Sequence, residues 1–257
     1  MVFEEVFSLL ARFIVPFSQI SVYVFFGITA SVTWLTQFSR MDKLPEPVKV
    51  IIKIFAFGML ITLPVFLVEL FLSRAFIRLD LPPFWLTISY WFITIALVEE
   101  LFKYIVVRYK VLKSKVFDEP SDAMIYMIVA ALGFAGLENI LYLLPTTGKI
   151  FSFNELLISA ATISFIRFLG ANLLHALCSA LVGYFIAISI CRKKKYALTL
   201  LGLTIAILLH GLYNFSIIQL DSPTNLLIPI IILLSLTVAV TLGFLKLKKM
   251  KSVCSVK

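Results

Sequence analysis

The chain reads as an all-α, polytopic membrane protein of about seven transmembrane helices with a polar site inside the bundle. Three observations predict this. Its 257 residues are 61% apolar with a mean hydropathy of +1.04, too hydrophobic for a soluble domain of this size. The apolar residues fall into runs that meet the roughly 20 residues needed to cross a bilayer. Lys and Arg concentrate in alternate loops between those runs, so the net charge of +9 is a topology signal and no nucleic-acid partner is implied.

The chain is taken as a single integral-membrane domain over 1–257. Phe3, Val6, Phe7, Leu10, Phe13 and Ile14 recur at helical spacing and predict an interfacial helix over 1–15, ending before Pro16. Glu4 and Glu5 stand where a signal peptide would be basic, so the first span is expected to be retained. Spans are predicted over about 17–38, 48–72, 84–108, 122–144, 165–190, 197–220 and 225–245. Polar, proline-containing segments separate several of them: Pro45-Glu46-Pro47, Pro82-Pro83, Pro145 to Lys149 and Asp221-Ser222-Pro223. Ser121 or Asp122 is positioned to cap the fourth helix. The stretch 153–190 exceeds one crossing and divides into a short interfacial piece followed by the fifth span. The loops after the first, third and fifth spans and the C-terminal tail are basic. The protein is therefore expected in the plasma membrane with its N-terminus outside and its C-terminus cytoplasmic.

Within this apolar frame the polar residues are the anomaly. The third span contains Glu99, Glu100 and Lys103, and a charge at the centre of a spanning helix costs about 2.5–3.5 kcal/mol on insertion scales. Glu99 and Glu100 lie four and three residues from Lys103, so the lysine can neutralise one carboxylate while the other needs a proton, a metal or another cation. The fourth span carries Glu138 and Asn139, with Tyr142 one turn on and Gly133 and Gly136 permitting close helix approach. The fifth carries Arg167, Asn172 and His175, with Arg167 read as interfacial and Cys178 as a small core residue. The sixth carries His210 and Asn214 on one face. Glu69, near the predicted end of the second span, reads as interfacial. Both histidines of the chain fall inside spans, and four helices bring carboxylate, imidazole or amide groups to membrane depth. One shared site is the expectation.

These residues resemble the PrsW family of intramembrane proteases, within the wider superfamily that includes type II CAAX-processing proteases and bacteriocin-immunity-like membrane proteins. The likeness rests on Glu99-Glu100-Leu101-Phe102-Lys103, on Phe134-Ala135-Gly136-Leu137-Glu138-Asn139, on His175, on His210 through Asn214, and on the Pro45-Glu46-Pro47 turn. Relatives acting on prenylated proteins carry histidine where this chain has Glu138, which points to the PrsW branch. The resemblance implies hydrolysis of a peptide bond in a membrane-associated substrate, a single-pass protein such as an anti-sigma factor.

The mechanism consistent with both lines of argument uses Glu99 or Glu100 as general base on a water. Glu138, His175 and His210 either bind a divalent metal such as zinc or polarise the water directly. Asn214 donates to the oxyanion and Lys103 neutralises the second glutamate. The histidines lack HExxH spacing, so metallo- and glutamate-type proteases both stay open. Two other readings are a proton- or ion-coupled transporter, built from the same residue types strung across the bilayer, and a catalytically inactive relative that binds a partner in the membrane. The gap between the fourth and fifth spans is one route for a substrate from lipid.

Overall fold

The computed structural model describes residues 17–41, 46–144, 152–192 and 196–250. The expected interfacial helix over 1–15, Pro45 and the turn at 145–149 lie outside the described residues. Those residues form helical rods: α1 (Phe17–Ser39), α2 (Val48–Ile77), α3 (83–110), α4 (Asp122–Leu143), α5 (Phe153–Cys191), α6 (Ala197–Gln219) and α7 (Thr224–Met250). Six of them are long and apolar enough to cross a membrane. The other, α3, has the length but carries Glu99, Glu100 and Lys103 at its middle.

Two rods depart from regular α winding where the polar residues begin. In α3 a π-wound segment, Ser89–Leu97, joins Pro83–Ile88 to Val98–Lys110, which opens on the glutamate pair. In α5 the π-wound segment Phe168–Asn172 ends three residues before His175. Wider turns of this kind occur frequently at functional sites, because they rotate one half of a helix relative to the other. The sequence divides 153–190 into two pieces, whereas the structure runs one helix of 39 residues through the π turn. It starts at a capping box in which Ser152 and Glu155 satisfy each other's backbone N–H groups, and no proline interrupts it.

Burial ranks the helices. In the most apolar stretches of α4 and α5, 78% and 72% of residues are buried, against 39% or fewer in α1, α2, α6 and α7. The bundle is therefore built around α4 and α5, and the outer helices show apolar side chains such as Leu60, Leu67 and Phe71 on α2 and Leu234, Val238 and Leu242 on α7 to the lipid. With lipid outside as apolar as the interior, association relies on close packing and interhelical hydrogen bonds. At the α2–α4 crossing Gly58 and Gly133 face each other's helices so closely that an added Cβ would stand 2.2 Å from the Ala130 carbonyl oxygen and 2.1 Å from that of Phe55. Thr62 fastens the same crossing, its hydroxyl shared between the Gly58 and Phe134 carbonyls at 3.3 and 3.4 Å. Gly136 differs, because the nearest atom to a Cβ there would be Ser31 Oγ at 3.4 Å.

At the end of the bundle bearing the basic loops, Asp122 Oδ2 accepts from the backbone N–H groups of Asp118 at 2.9 Å and Glu119 at 2.7 Å. Neither Ser121 nor Asp122 makes a side-chain cap of α4; Asp122 instead serves the turn ahead of the helix. Tyr126 donates its hydroxyl hydrogen to Glu46, tethering the turn before α2 to α4.

Gly133→Ala is expected to lower thermal stability in detergent by about 1–3 kcal/mol through overpacking at the α2–α4 crossing, while Gly136→Ala is nearly neutral. Equal melting shifts in the two variants would show that close approach is not what Gly133 provides.

Candidate active site

Helical spacing places Glu99 and Glu100 one turn before Lys103, and all three are buried. The ammonium of Lys103 donates to Glu99 Oε2 at 3.1 Å and to Glu100 Oε1 at 2.9 Å. The sequence leads one to expect that the lysine serves one carboxylate, but it bonds both. Its third hydrogen bond goes to His175 Nδ1 at 2.8 Å, and the Phe134 ring centroid lies 4.6 Å from Nζ. Lys103 therefore ties α3 to α4 and α5 in the dry centre of the bundle.

The donor count fixes the histidine protons. An ammonium has hydrogens and no lone pair, so His175 Nδ1 accepts from Lys103 and the ring proton sits on Nε2. That nitrogen lies 3.0 Å from Glu138 Oε2, which accepts it. In His210 it is Nδ1 that meets a carboxylate, Glu100 Oε1, at 2.9 Å, while Glu100 Oε2 accepts from the Ser179 hydroxyl at 3.3 Å. In the neutral ring His210 Nε2 then keeps its lone pair. The two unprotonated nitrogens face the same atom: Glu99 Oε2 is 3.6 Å from His175 Nδ1 and 3.9 Å from His210 Nε2. The rings stand nearly perpendicular, their centroids 5.0 Å apart.

Glu138 and Asn139 belong to a layer around this centre. Arg167 donates to Glu138 Oε2 at 2.6 Å and to Asn139 Oδ1, and stacks over the Tyr142 ring at 4.0 Å. Asn139 Nδ2 reaches the Gly27 carbonyl at 3.1 Å and Asn172 Oδ1 at 2.9 Å, and Asn172 donates to Ser31 Oγ at 2.9 Å. Arg167, read from the sequence as interfacial, is thus inside the bundle as the counter-charge of Glu138. Its position two turns before His175 on a common face was the available signal. Asn139 is a strut to α1 and α5. Asn214 lies one turn beyond His210, half-buried and without a hydrogen bond among the described residues.

Glu69 also belongs here. The second span, expected to end near residue 72, continues to Ile77, so Glu69 lies two turns inside the helix. It interacts electrostatically with Glu99, Glu138 and Lys103, and its Oε1 is buried without a hydrogen-bond partner. Cys178 is a free, buried core thiol.

The trio drawn from the sequence for a metal was Glu138, His175 and His210. The set that converges is Glu99, His175 and His210, one donor atom from each lying within 4.8 Å of the others. Two imidazoles and a carboxylate fit a divalent metal by donor type, as in catalytic zinc sites, and in the structure Lys103 Nζ bonds two of these donors. Glu138 and Glu100 stand behind the histidines, each holding one ring nitrogen as the carboxylates behind metal-bound histidines do.

Comparison with known proteins identifies the family. The family model described as PrsW family intramembrane metalloprotease matches residues 46–242. Protease PrsW of Oceanobacillus iheyensis is 32% identical over 81% of this chain and 88% of its own length. The protein of the same name from Geobacillus kaustophilus is 30% identical over 74% and 76%, and that from Bacillus subtilis 26% over 88% and 94%. No solved structure matches the chain. With seven helical rods around buried carboxylates and histidines, and a match running from the turn before α2 into α7, the chain belongs to the PrsW family of intramembrane metalloproteases.

Proposed function

We propose that the protein is an endopeptidase that cuts single-pass membrane proteins, anti-sigma-factor-like proteins among them, with Glu99, His175 and His210 as its reactive centre. The observation that carries this reading is the convergence of one ring nitrogen from each histidine on Glu99 Oε2. A transporter's relay would string such groups along the bilayer normal, whereas these gather at one level.

Glu99, His175 and His210 would hold a divalent metal, zinc by donor type, whose Lewis acidity serves hydrolysis. Glu100 and Glu138 keep the histidine protons on the far nitrogens; the inward lone pair of His175 accepts from Lys103 in the structure and would exchange that bond for the metal. Glu99 Oε1, which has no hydrogen bond among the described residues, accepts the proton of the attacking water and returns it to the leaving amine. Asn214 donates its amide hydrogen to the oxygen of the scissile carbonyl. Lys103 donates to both carboxylates and to His175, fixing their relative positions.

The orientation proposed from the basic loops puts the C-terminus in the cytoplasm. Glu138 is five residues from the end of α4 and Asn214 five from the end of α6, both at the end opposite those loops. The site then opens to the outer half of the plasma membrane.

Glu99→Gln keeps the side chain's shape and removes the base, so cleavage of a model single-pass substrate in proteoliposomes should fall about 10²–10⁴-fold with membrane insertion unchanged. Activity within about tenfold of wild type would remove Glu99 from the mechanism. Metal analysis of the purified protein should find about one zinc per chain, lost in a His175→Ala/His210→Ala variant; metal in neither protein would favour the glutamate-type route. Lys103→Met, which strands two buried carboxylates, should destabilise by about 3–5 kcal/mol, with partial recovery on adding Glu100→Gln. A melting temperature unchanged by Lys103→Met would contradict the central role given to the ammonium.

A further inference from the structure

A groove of about 300 Å³ opens between the end of α2, the first half of α3 and the end of α6, at the low end of the roughly 300–1,000 Å³ typical of ligand sites. Ser73, Phe76, Leu86, Tyr90, Trp91 and Thr94 line it. Most of this wall is apolar, and it lies on the end of the bundle towards which the reactive centre is displaced.

Two buried polar atoms, one in the groove wall and one a helical turn from it, have no hydrogen-bond partner among the described residues. Thr94 is fully buried, and its hydroxyl has no hydrogen-bond partner. Several helical threonines bond the carbonyl one turn back, as Thr87 does to Pro83 at 2.9 Å and Thr237 to Leu233 at 2.7 Å. Thr94 sits in the π-wound part of α3 and does not. The second atom is Glu69 Oε1, buried and equally unpartnered. Glu69 is one turn before Ser73 on α2, and it interacts with Tyr90 in the groove and with Glu99 and Lys103 in the reactive centre. Its place one helical turn from the groove residue Ser73 puts it beside the groove.

A buried polar atom without its hydrogen bond is costly, and a ligand supplying the missing partner recovers that cost. The pattern required of that ligand is one N–H donor, one group able to pair with a hydroxyl, and an apolar body. An acyl chain has neither polar group. A peptide in helical form has already used its backbone groups internally. An unwound peptide offers all three.

Resting on the endopeptidase reading above, we infer that this groove binds the substrate segment next to the scissile bond in extended form. Glu69 accepts a hydrogen bond from a main-chain N–H, the Thr94 hydroxyl pairs with a main-chain carbonyl, and an apolar side chain lodges among Phe76, Tyr90 and Trp91. Glu69 and Thr94 are thus substrate-binding residues, and the groove selects an apolar residue beside the cut.

The test uses the full chain in nanodiscs with a model single-pass peptide: about 20 Leu and Ala residues followed by an Ala/Ser segment containing one Leu. A photoreactive benzoylphenylalanine replaces Leu86 in the groove or Leu60 on the exposed face of α2, both in the Glu99→Gln background, so that binding is read without cleavage. Peptide adducts at position 86 should exceed those at position 60 about tenfold and fall by a similar factor when Glu69→Leu and Thr94→Val are added. Adducts to lipid alone, or equal adducts at the two positions, would overturn the proposal. In the cleaving enzyme Glu69→Leu should raise KM about tenfold with a smaller effect on kcat, and Glu69→Gln, which keeps an acceptor, should restore KM; a structural role would leave KM unmoved. If the wild-type enzyme cleaves nothing while the position-86 adduct forms, the endopeptidase reading fails and the groove stands.

Discussion

The structure depends on one ammonium. Lys103 Nζ is bonded at 2.8–3.1 Å to two carboxylates and an imidazole in the buried centre of the bundle, and removing it would leave two anions facing each other in low dielectric. Buried ion pairs are seldom a net source of stability, because desolvation offsets much of their attraction. What this one supplies is definition. An ammonium can only donate, so its bond to His175 Nδ1 dictates the tautomer of that ring and sends the ring proton to Glu138. Glu100, held by the same ammonium, does the same for His210 from the other side.

The architecture serves that cluster. A helix presents its side chains at fixed angles, and a regular α3 would have to fit both its aromatic first half and its charged second half with one rotation. The π-wound segment before Glu99 separates the two requirements, and the shorter one before His175 does so in α5. The cluster also needs walls that do not move. Gly58 and Gly133 bring α2 against α4, and the chain of amides from Asn139 through Asn172 to Ser31 pins α1 to α4 and α5.

Much of this was legible in the sequence, for a physical reason. An ionisable residue inside an apolar run carries a cost that only function or pairing offsets, so Glu99, Glu100, Lys103, Glu138, His175 and His210 stood out singly, and their spread over four helices implied convergence. Pairing was less legible. Whether Glu99 or Glu138 faces both imidazoles turns on ring tautomers and on a second cation, Arg167, whose depth depended on where a helix began. The expected start near residue 165 left Arg167 at the interface, while the capping box at Ser152 begins the helix earlier and puts it inside. Glu69 was lost to the same error at the other end of a helix, because α2 runs past the predicted boundary to Ile77.

A hydrolase in a membrane must be dry where it holds charge and wet where it reacts, and the exposures across the cluster are graded in that sense. The side chains of Lys103 and Glu100 are 0% exposed, Glu99 is 5%, and Glu138 and Arg167 are 18% and 12%. The ammonium thus keeps its full attraction for the glutamates away from solvent, where effective dielectric is lowest. Glu138 and Arg167 form the edge that water can reach, and Asn214 is half-buried one turn beyond His210. Glu99 lies between root and edge. A carboxylate in that position is anchored from the dry side by Lys103 and still within reach of a water from the other.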